Sequence, residues 1–371
     1  MKKKSIGTLS LNINTSDFNY GAILHSWAFQ QFLDKYGKYN VEIIDYITPH
    51  LEKCNLKYPI YSSIKNKKLR TIIKSIIFYI PYKLRYYKFQ KFIKNNMVTS
   101  KEHYTQKSLN DTKLKYDILI CESDVIWYPG FFRGNFDKSF FLALDSMKDK
   151  KKIAYSPSMS SLRYVDSKKE ELKELLKNLD YISCRESYEL NVLKELSDKK
   201  ITHVMDPVFL LNPEDYNKII GKRIIKDKYL LLYLPVNDNK ELRKVAKKYA
   251  KENNLKILEI TTKLYPEFGH KTLTHAGVEE FLSCIKYSDM VFTNSFHAIC
   301  FSVLFEKEFY AFTRKLNDKV EDICKTLNLK DRFLIDNKIK EIEKIDYKKV
   351  NKKVKALREK SQKWIIDAIE N

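Results

Sequence analysis

Asp289-Met290-Val291-Phe292-Thr293-Asn294-Ser295-Phe296-His297-Ala298 reads as a short apolar strand that ends in polar residues and passes straight into a helix. The strand is predicted over Met290 to Thr293 and the helix over Ala298 to Phe305. A helix over Gly277 to Lys286 leads into it, and a strand over Phe309 to Phe312 follows. Short apolar runs that alternate with helical segments mean parallel sheets with crossover helices, an α/β fold.

Outward from this stretch the same alternation continues in both directions. Upstream lie a strand at Tyr229 to Leu234, a helix at Asn239 to Glu252 and a strand at Lys256 to Thr261. The polar segment Asn212 to Lys228, with Pro213 and Gly221, separates this set from an earlier one and marks the domain boundary. The earlier set has strands at Ser5 to Leu11, Val41 to Tyr46, Tyr116 to Cys121, Lys152 to Tyr155, Tyr181 to Cys184 and Ile201 to Met205. Ala22 to Lys35, after the break at Asn19-Tyr20-Gly21, carries apolar residues at helical spacing. Two domains are therefore expected, residues 1–212 with a basic helical region at 64–96 and residues 213–345, followed by a C-terminal helix at 346–371 that packs back across them. Doubly wound sheets bind ligands outside the carboxyl ends of their strands, so the loops after strands, facing a shared crevice, are where chemistry is sought.

Composition narrows the classes. The 371 residues are 44% hydrophobic and 13% aromatic, which excludes a disordered chain. No apolar run approaches the roughly 20 residues of a membrane-spanning helix. The basic start Met1-Lys2-Lys3-Lys4 is followed by Ser10, Asn12, Asn14 and Asp17 rather than an apolar signal core, so a cytoplasmic location is expected. The six cysteines show no C-x-x-C pair and no zinc spacing and read as buried thiols; no metal site is expected. The formal charge of +22 fits either an anionic partner or compositional drift. Residues Lys65 to Lys94 hold ten Lys/Arg and no acid, interleaved with aromatics and isoleucines. That stretch fits a pair of amphipathic helices, or peripheral contact with an anionic membrane at the inner face of the cell. No RNP-type or G-x-x-G element supports nucleic acid as the partner.

The candidate chemistry starts at the helix opening near His297. Helix N-termini present free N–H groups, so a phosphate or carboxylate fits there with Thr293, Asn294 and Ser295 as further donors, while His297 can move a proton near neutral pH. A capped helix with a partly buried histidine is the alternative. Arg185 offers a guanidinium fork for a carboxylate or phosphate, or else a surface ion pair with Glu186 or Glu189. Ser123 and Asp124 follow a buried strand, with Trp127 placed to stack on a sugar ring, although Asp124 also suits a helix cap. The glycine of Asn19-Tyr20-Gly21 permits a tight turn near ligand, and His25 one turn on suits packing or ligand contact. Asp206-Pro207 reads as structural.

Several of these stretches together resemble polysaccharide pyruvyl transferases. The resemblance rests on Thr293-Asn294-Ser295-Phe296-His297, Phe301-Ser302, Lys307-Glu308-Phe309-Tyr310 and Gly277-Val278-Glu279-Glu280-Phe281-Leu282. Asn19-Tyr20-Gly21-Ala22-Ile23-Leu24, Ser123-Asp124 with Trp127, Arg185-Glu186-Ser187 and Asp206-Pro207-Val208 add to it, in family order over nearly the whole chain. It implies two Rossmann-like domains in a glycosyltransferase-B-like arrangement, phosphoenolpyruvate as donor, and a sugar or lipid-linked oligosaccharide diol as acceptor. It further implies donor contacts from Arg185 and His297, beside which Asn294 and Ser295 are expected as donors at the helix opening. Many relatives carry arginine where Ser295 stands, so Arg314 or Lys315 is expected to supply the missing cation. Acceptor contacts are expected from Asn19, Tyr20, Gly21, His25, Ser123, Asp124 and Trp127, and His297 and Asp124 are expected to be catalytic. Relatives usually show glycine at Glu122 and glutamine at Val125. Ketal formation from phosphoenolpyruvate needs an acid, a base and cations but no metal or cofactor. A nucleotide-sugar glycosyltransferase on the same scaffold, or a non-catalytic membrane- or nucleic-acid-binding protein, is the competing expectation.

Overall fold

A computed structural model describes residues 3–14, 18–52, 69–235, 240–261, 270–312, 318–334, 339 and 343–371. The chain forms two units, one of residues 1–56, 93–211 and 354–371, the other of residues 57–92 and 212–353.

The first unit holds a seven-stranded parallel sheet of β1 (Lys4–Leu9), β2 (Tyr39–Tyr46), β3 (Thr99–Tyr104), β4 (Ile118–Glu122), β5 (Lys151–Tyr155), β6 (Tyr181–Cys184) and β7 (Ile201–His203), in the order β3-β2-β1-β4-β5-β6-β7. Its central strand β4, Ile-Leu-Ile-Cys-Glu, is buried at every position, as expected for a parallel strand covered on both faces. Helix α1 (Tyr20–Lys35) is buried on nearly all sides, and its apolar residues join the core. Helix α2 (Leu69–Asn96) contains Pro81 and runs from residues grouped with the second unit into residues grouped with the first. Short helices α3 (Gln106–Asp111), α4 (Val165–Leu176) and α5 (Glu189–Leu196) complete the unit's crossovers.

The second unit holds β8 (Tyr229–Tyr233), β9 (Lys256–Ile260), β10 (His270–Leu273), β11 (Met290–Thr293), β12 (Glu308–Phe312) and β13 (Phe333–Leu334), all parallel, in the order β10-β9-β8-β11-β12-β13. Helices α6 (Lys240–Glu252), α7 (Val278–Lys286), α8 (Phe296–Leu304) and α9 (Asp318–Thr326) connect them. At the opening of helix α7 the Gly277 N–H donates to the Glu280 side chain. A side chain at Gly277 would sit 2.9 Å from the Lys88 Cβ, which is why this position takes glycine.

The C-terminal helix α10 (Tyr347–Glu370) begins in the second unit, where the Tyr347 hydroxyl donates to Lys307 O at 2.5 Å. Its later turns belong to the first unit. There the Met205 N–H donates to Ser361 Oγ at 2.9 Å, and Arg358 and Gln362 each donate at 2.7 Å to Phe209 O and Leu210 O.

Three differences from the sequence reading share a cause. β3, β10 and β13 escaped it because each forms a sheet edge, and two of them read Thr-Ser-Lys-Glu-His-Tyr and His-Lys-Thr-Leu, without the apolar run of an inner strand. The basic stretch, expected as a pair of helices in the first domain, is one helix whose residues up to Phe92 group with the second unit. Contacts such as the ion pair between Lys88 and Glu280 tie it there. Arg314 and Lys315 lie outside the described residues.

Candidate functional site

In each sheet the winding reverses between its first and fourth strands, β1 and β4 in one unit and β8 and β11 in the other. Loops leaving the carboxyl ends of such a strand pair diverge and leave the crevice where doubly wound folds bind ligands. Each unit has one stretch of candidate residues at this point.

In the first unit, Asn19 caps α1 by accepting from Gly21 N at 3.0 Å and Ala22 N at 3.4 Å. This sets the helix so that His25 and Ser26 point at the end of β4. The His25 Nδ1 lies 2.8 Å from Glu122 Oε2, Ser26 Oγ donates to Glu122 Oε1, and Asn12 Nδ2 donates to Ser26 Oγ at 3.1 Å. The His25 Nε2 lies 3.9 Å from Asp124 Oδ2. Ser123 and Asp124 both take left-handed backbone, each with φ of 52°, a conformation that non-glycine residues keep only where surroundings impose it. The Ser158 N–H, donating to Asp124 O at 2.9 Å, and the Ser123 N–H, donating to Tyr155 O at 2.8 Å, hold that turn.

Ser123 Oγ then donates to Asp206 Oδ2 at 2.9 Å, and the same oxygen accepts from Arg185 at 3.1 Å. Arg185 Nε donates to Glu186 at 2.7 Å. Its side chain is only 3% exposed, so this is a buried ion-pair hub rather than a surface pair. Five buried carboxyl groups, Glu122, Asp124, Glu186, Glu189 and Asp206, thus share the unit with Arg185 and His25. Burial alone would strip the His25 imidazole, but the charges of Glu122, Asp124 and Asp206 together outweigh it and hold its pKa above 6.5. Burial pushes Glu122 up, only partly offset by His25 and Ser26.

Glu189 yields a measurable consequence. Burial first, and the Glu186 charge second, raise its pKa well above 4.5, while its Oε1 accepts from Met159 N at 2.7 Å. A carboxyl that holds its proton more tightly when folded gives stability that is complete below its unfolded pKa and lost as pH rises through the folded one. Glu189→Gln preserves the acceptor and needs no proton. Its unfolding free energy is expected to fall less steeply than wild type above about pH 5, by up to about 1.4 kcal/mol per pH unit. Denaturant melts at several pH values would show parallel slopes if the reading is wrong.

In the second unit, Thr293 Oγ1 donates to Tyr233 O at 2.7 Å, joining the ends of β11 and β8, and accepts from Ser295 N at 3.0 Å. Ser295 caps α8 by accepting from Ala298 N at 3.4 Å. His297 stands in the first turn, 7% exposed, with its ring edge-on to Phe296 at 5.1 Å. Asn294 and Ser295 are part-exposed. No acid lies between Met290 and Phe305, so the helix opening keeps its partial positive charge.

A profile described as polysaccharide pyruvyl transferase matches residues 19–315 of the chain. The chain belongs to the polysaccharide pyruvyl transferase family. It is a transferase acting on polysaccharide. No curated protein matches it in sequence. Among solved structures, UDP-GlcNAc 2-epimerase from Methanocaldococcus jannaschii matches at 14% identity and a TM-score of 0.52, over 96% of this chain and 92% of that one. The enzyme from Neisseria meningitidis bound to UDP-GlcNAc matches at 10% identity and a TM-score of 0.48, over 100% and 99%. The former likeness shows the fold alone, two Rossmann-like α/β domains of the glycosyltransferase-B kind.

For this pyruvyl transferase family member the structure corrects several expected contacts. Trp127 cannot stack on a sugar: it is fully buried, stacked on Phe141 at 5.0 Å, and its Nε1 donates to Phe140 O at 3.0 Å. Tyr20 is core, and Gly21 sits inside the first turn of α1 with no left-handed backbone, the turn being made by Phe18 at φ of 47° and the Asn19 cap. Asp124 caps no helix. Asp206, read as structural, does cap the turn at Pro207–Leu210 by accepting from Val208 N, and it also partners Arg185 and Ser123. Glu122 partners His25; a carboxylate closing a wholly apolar strand was the signal for it. Among the described residues no three His, Cys, Asp or Glu side chains converge to hold a metal, the five described cysteines are buried and form no disulfide, and no helix is long and apolar enough to cross a membrane.

Proposed function

We propose that this transferase moves the pyruvate unit of phosphoenolpyruvate onto two hydroxyl groups of a polysaccharide precursor as a ketal. The reading rests above all on the opening of α8, where a phosphate-sized anion meets Asn294, Ser295, the positive end of the helix dipole and the His297 imidazole at a sheet's switch point, with no acid in the segment.

In this reaction the donor's methylene carbon takes a proton and the neighbouring carbon bonds to one sugar oxygen, whose proton departs. The phosphate then leaves with its bonding electrons, and the second hydroxyl closes the ring as it loses its proton. His297 contacts the phosphate and carries a proton, while Asn294 and Ser295 donate to its oxygens. Arg314 and Lys315 follow β12 in the chain and are the proposed further cations. Asp124, backed by His25, receives hydroxyl protons. No step draws on a cofactor or metal.

The test is phosphate release from phosphoenolpyruvate with a panel of lipid-linked and nitrophenyl glycosides, run in chelator and read alongside the ketal by mass. Phosphoenolpyruvate at a hundred times its Kd is expected to stabilise the protein by about 2.7 kcal/mol and raise its melting temperature. A nucleotide sugar that raises it while phosphoenolpyruvate leaves it unmoved would overturn the reading in favour of glycosyl transfer.

A further inference from the structure

Helix α2 presents two unlike faces. Arg85, Phe89 and Phe92 form a buried stripe, at the i, i+4, i+7 spacing that one face of a helix shows. Ile80, Leu84 and Tyr87 follow the same spacing on the opposite side and are 65%, 44% and 49% exposed. Lys91 continues this outer stripe one turn on and is exposed, and Lys83 flanks it, its Nζ lying 5.5 Å from the Tyr79 ring and 5.8 Å from the Tyr87 ring.

We propose that this face of α2 seats the protein on an anionic lipid bilayer. Large apolar side chains repeated along an outward helix face mark an interaction surface rather than scattered exposure. Lysines set beside such a stripe match negatively charged headgroups while the aliphatic and aromatic side chains enter the acyl boundary. Charge complementarity supports this: Lys83 and Lys91 stand beside the stripe, and residues 65–94 contain no acid that would oppose the headgroups. Tyr87 suits the boundary, with an apolar ring and a polar tip. Aliphatic Ile80 and Leu84 at the centre of the stripe give nucleobases nothing to stack on, so a lipid surface fits this face better than a nucleic acid.

Sedimentation of the full chain with vesicles tests this directly. Vesicles of equal parts phosphatidylcholine and phosphatidylglycerol are expected to carry the protein down, less so in high salt, and phosphatidylcholine vesicles to leave it in solution. Lys83→Gln with Lys91→Gln should weaken partition roughly 30-fold, and Ile80→Asn with Leu84→Asn about 10-fold or more. All four side chains stand on the outer side, so both double variants should melt with wild type. Three outcomes overturn the proposal: equal binding to both vesicle types or to neither, wild-type partition by both variants, or lysine-dependent binding to a mixed-sequence RNA that is tighter than to the vesicles. Neither donor nor acceptor is present, so the result is independent of the reading as a pyruvyl transferase.

Discussion

Replacing His297 by alanine should lower phosphate release from phosphoenolpyruvate by about 10²- to 10⁴-fold, the usual contribution of a positioned proton carrier. The side chain occupies the first turn of α8 beside the Ser295 cap, and that cap does not involve the imidazole. The fold should therefore persist, with a melting temperature a few degrees from wild type. His297→Gln divides the two roles given to this residue. An amide keeps a donor for the phosphate but carries no proton near neutral pH, so KM for phosphoenolpyruvate should stay within about tenfold while kcat falls nearly as far as in the alanine variant. Near-normal turnover by His297→Ala would remove the histidine from the chemistry. An equal loss of binding and turnover in the glutamine variant would confine it to holding the donor.

Arg185→Met carries the largest expected cost in stability. The guanidinium stands between Glu186 and Asp206 with almost no access to water, and burial, although it opposes the charge, is overcome by these carboxylates, so the pKa lies above the ordinary arginine value. Removing one partner of a buried ionic cluster leaves the other charges uncompensated, at about 3–5 kcal/mol. A melting temperature lower by roughly 10 °C follows for a unit of this size. Arg185→Lys restores the charge but not the fork, since one ammonium cannot reproduce both the Nε and Nη contacts, and should fall between the two. If the methionine variant melts with wild type, the cluster is not what holds the end of β4 to the start of the segment at Asp206. Should the lysine variant keep its melting temperature yet lose the response to phosphoenolpyruvate, Arg185 would be a donor contact in its own right.

The inner strands could be read from the chain because parallel strands covered on both faces must be apolar at nearly every position, as in Tyr-Leu-Leu-Leu-Tyr of β8. Edge strands escape that requirement, and β3 with its exposed Lys101, Glu102 and His103 gave no such pattern. The helix opening at His297 was legible for a local reason: a strand end, a cap and an imidazole all fall within five residues. The carboxyl cluster was not. His25 and Glu122 are 97 positions apart, and Ser123 reaches Asp206 over 83, so their meaning depends on the strand order that brings them together. Trp127 was misread for the converse reason. An indole after a strand suits a sugar as well as it suits a core, and only the ring of Phe141 beneath it decides.

The assignment of residues to units bears on how the protein comes into being. Ser361, Arg358 and Gln362, which accept from or donate to the backbone between Met205 and Leu210, lie within the final fourteen positions of the chain. The amino-terminal sheet thus lacks one of its covers until residues 354–371 have been made, whereas the second unit is complete at residue 353. On the ribosome the usual precedence of the leading domain is reversed, and a nascent chain stopped near residue 211 would expose the apolar ground on which the last helix belongs.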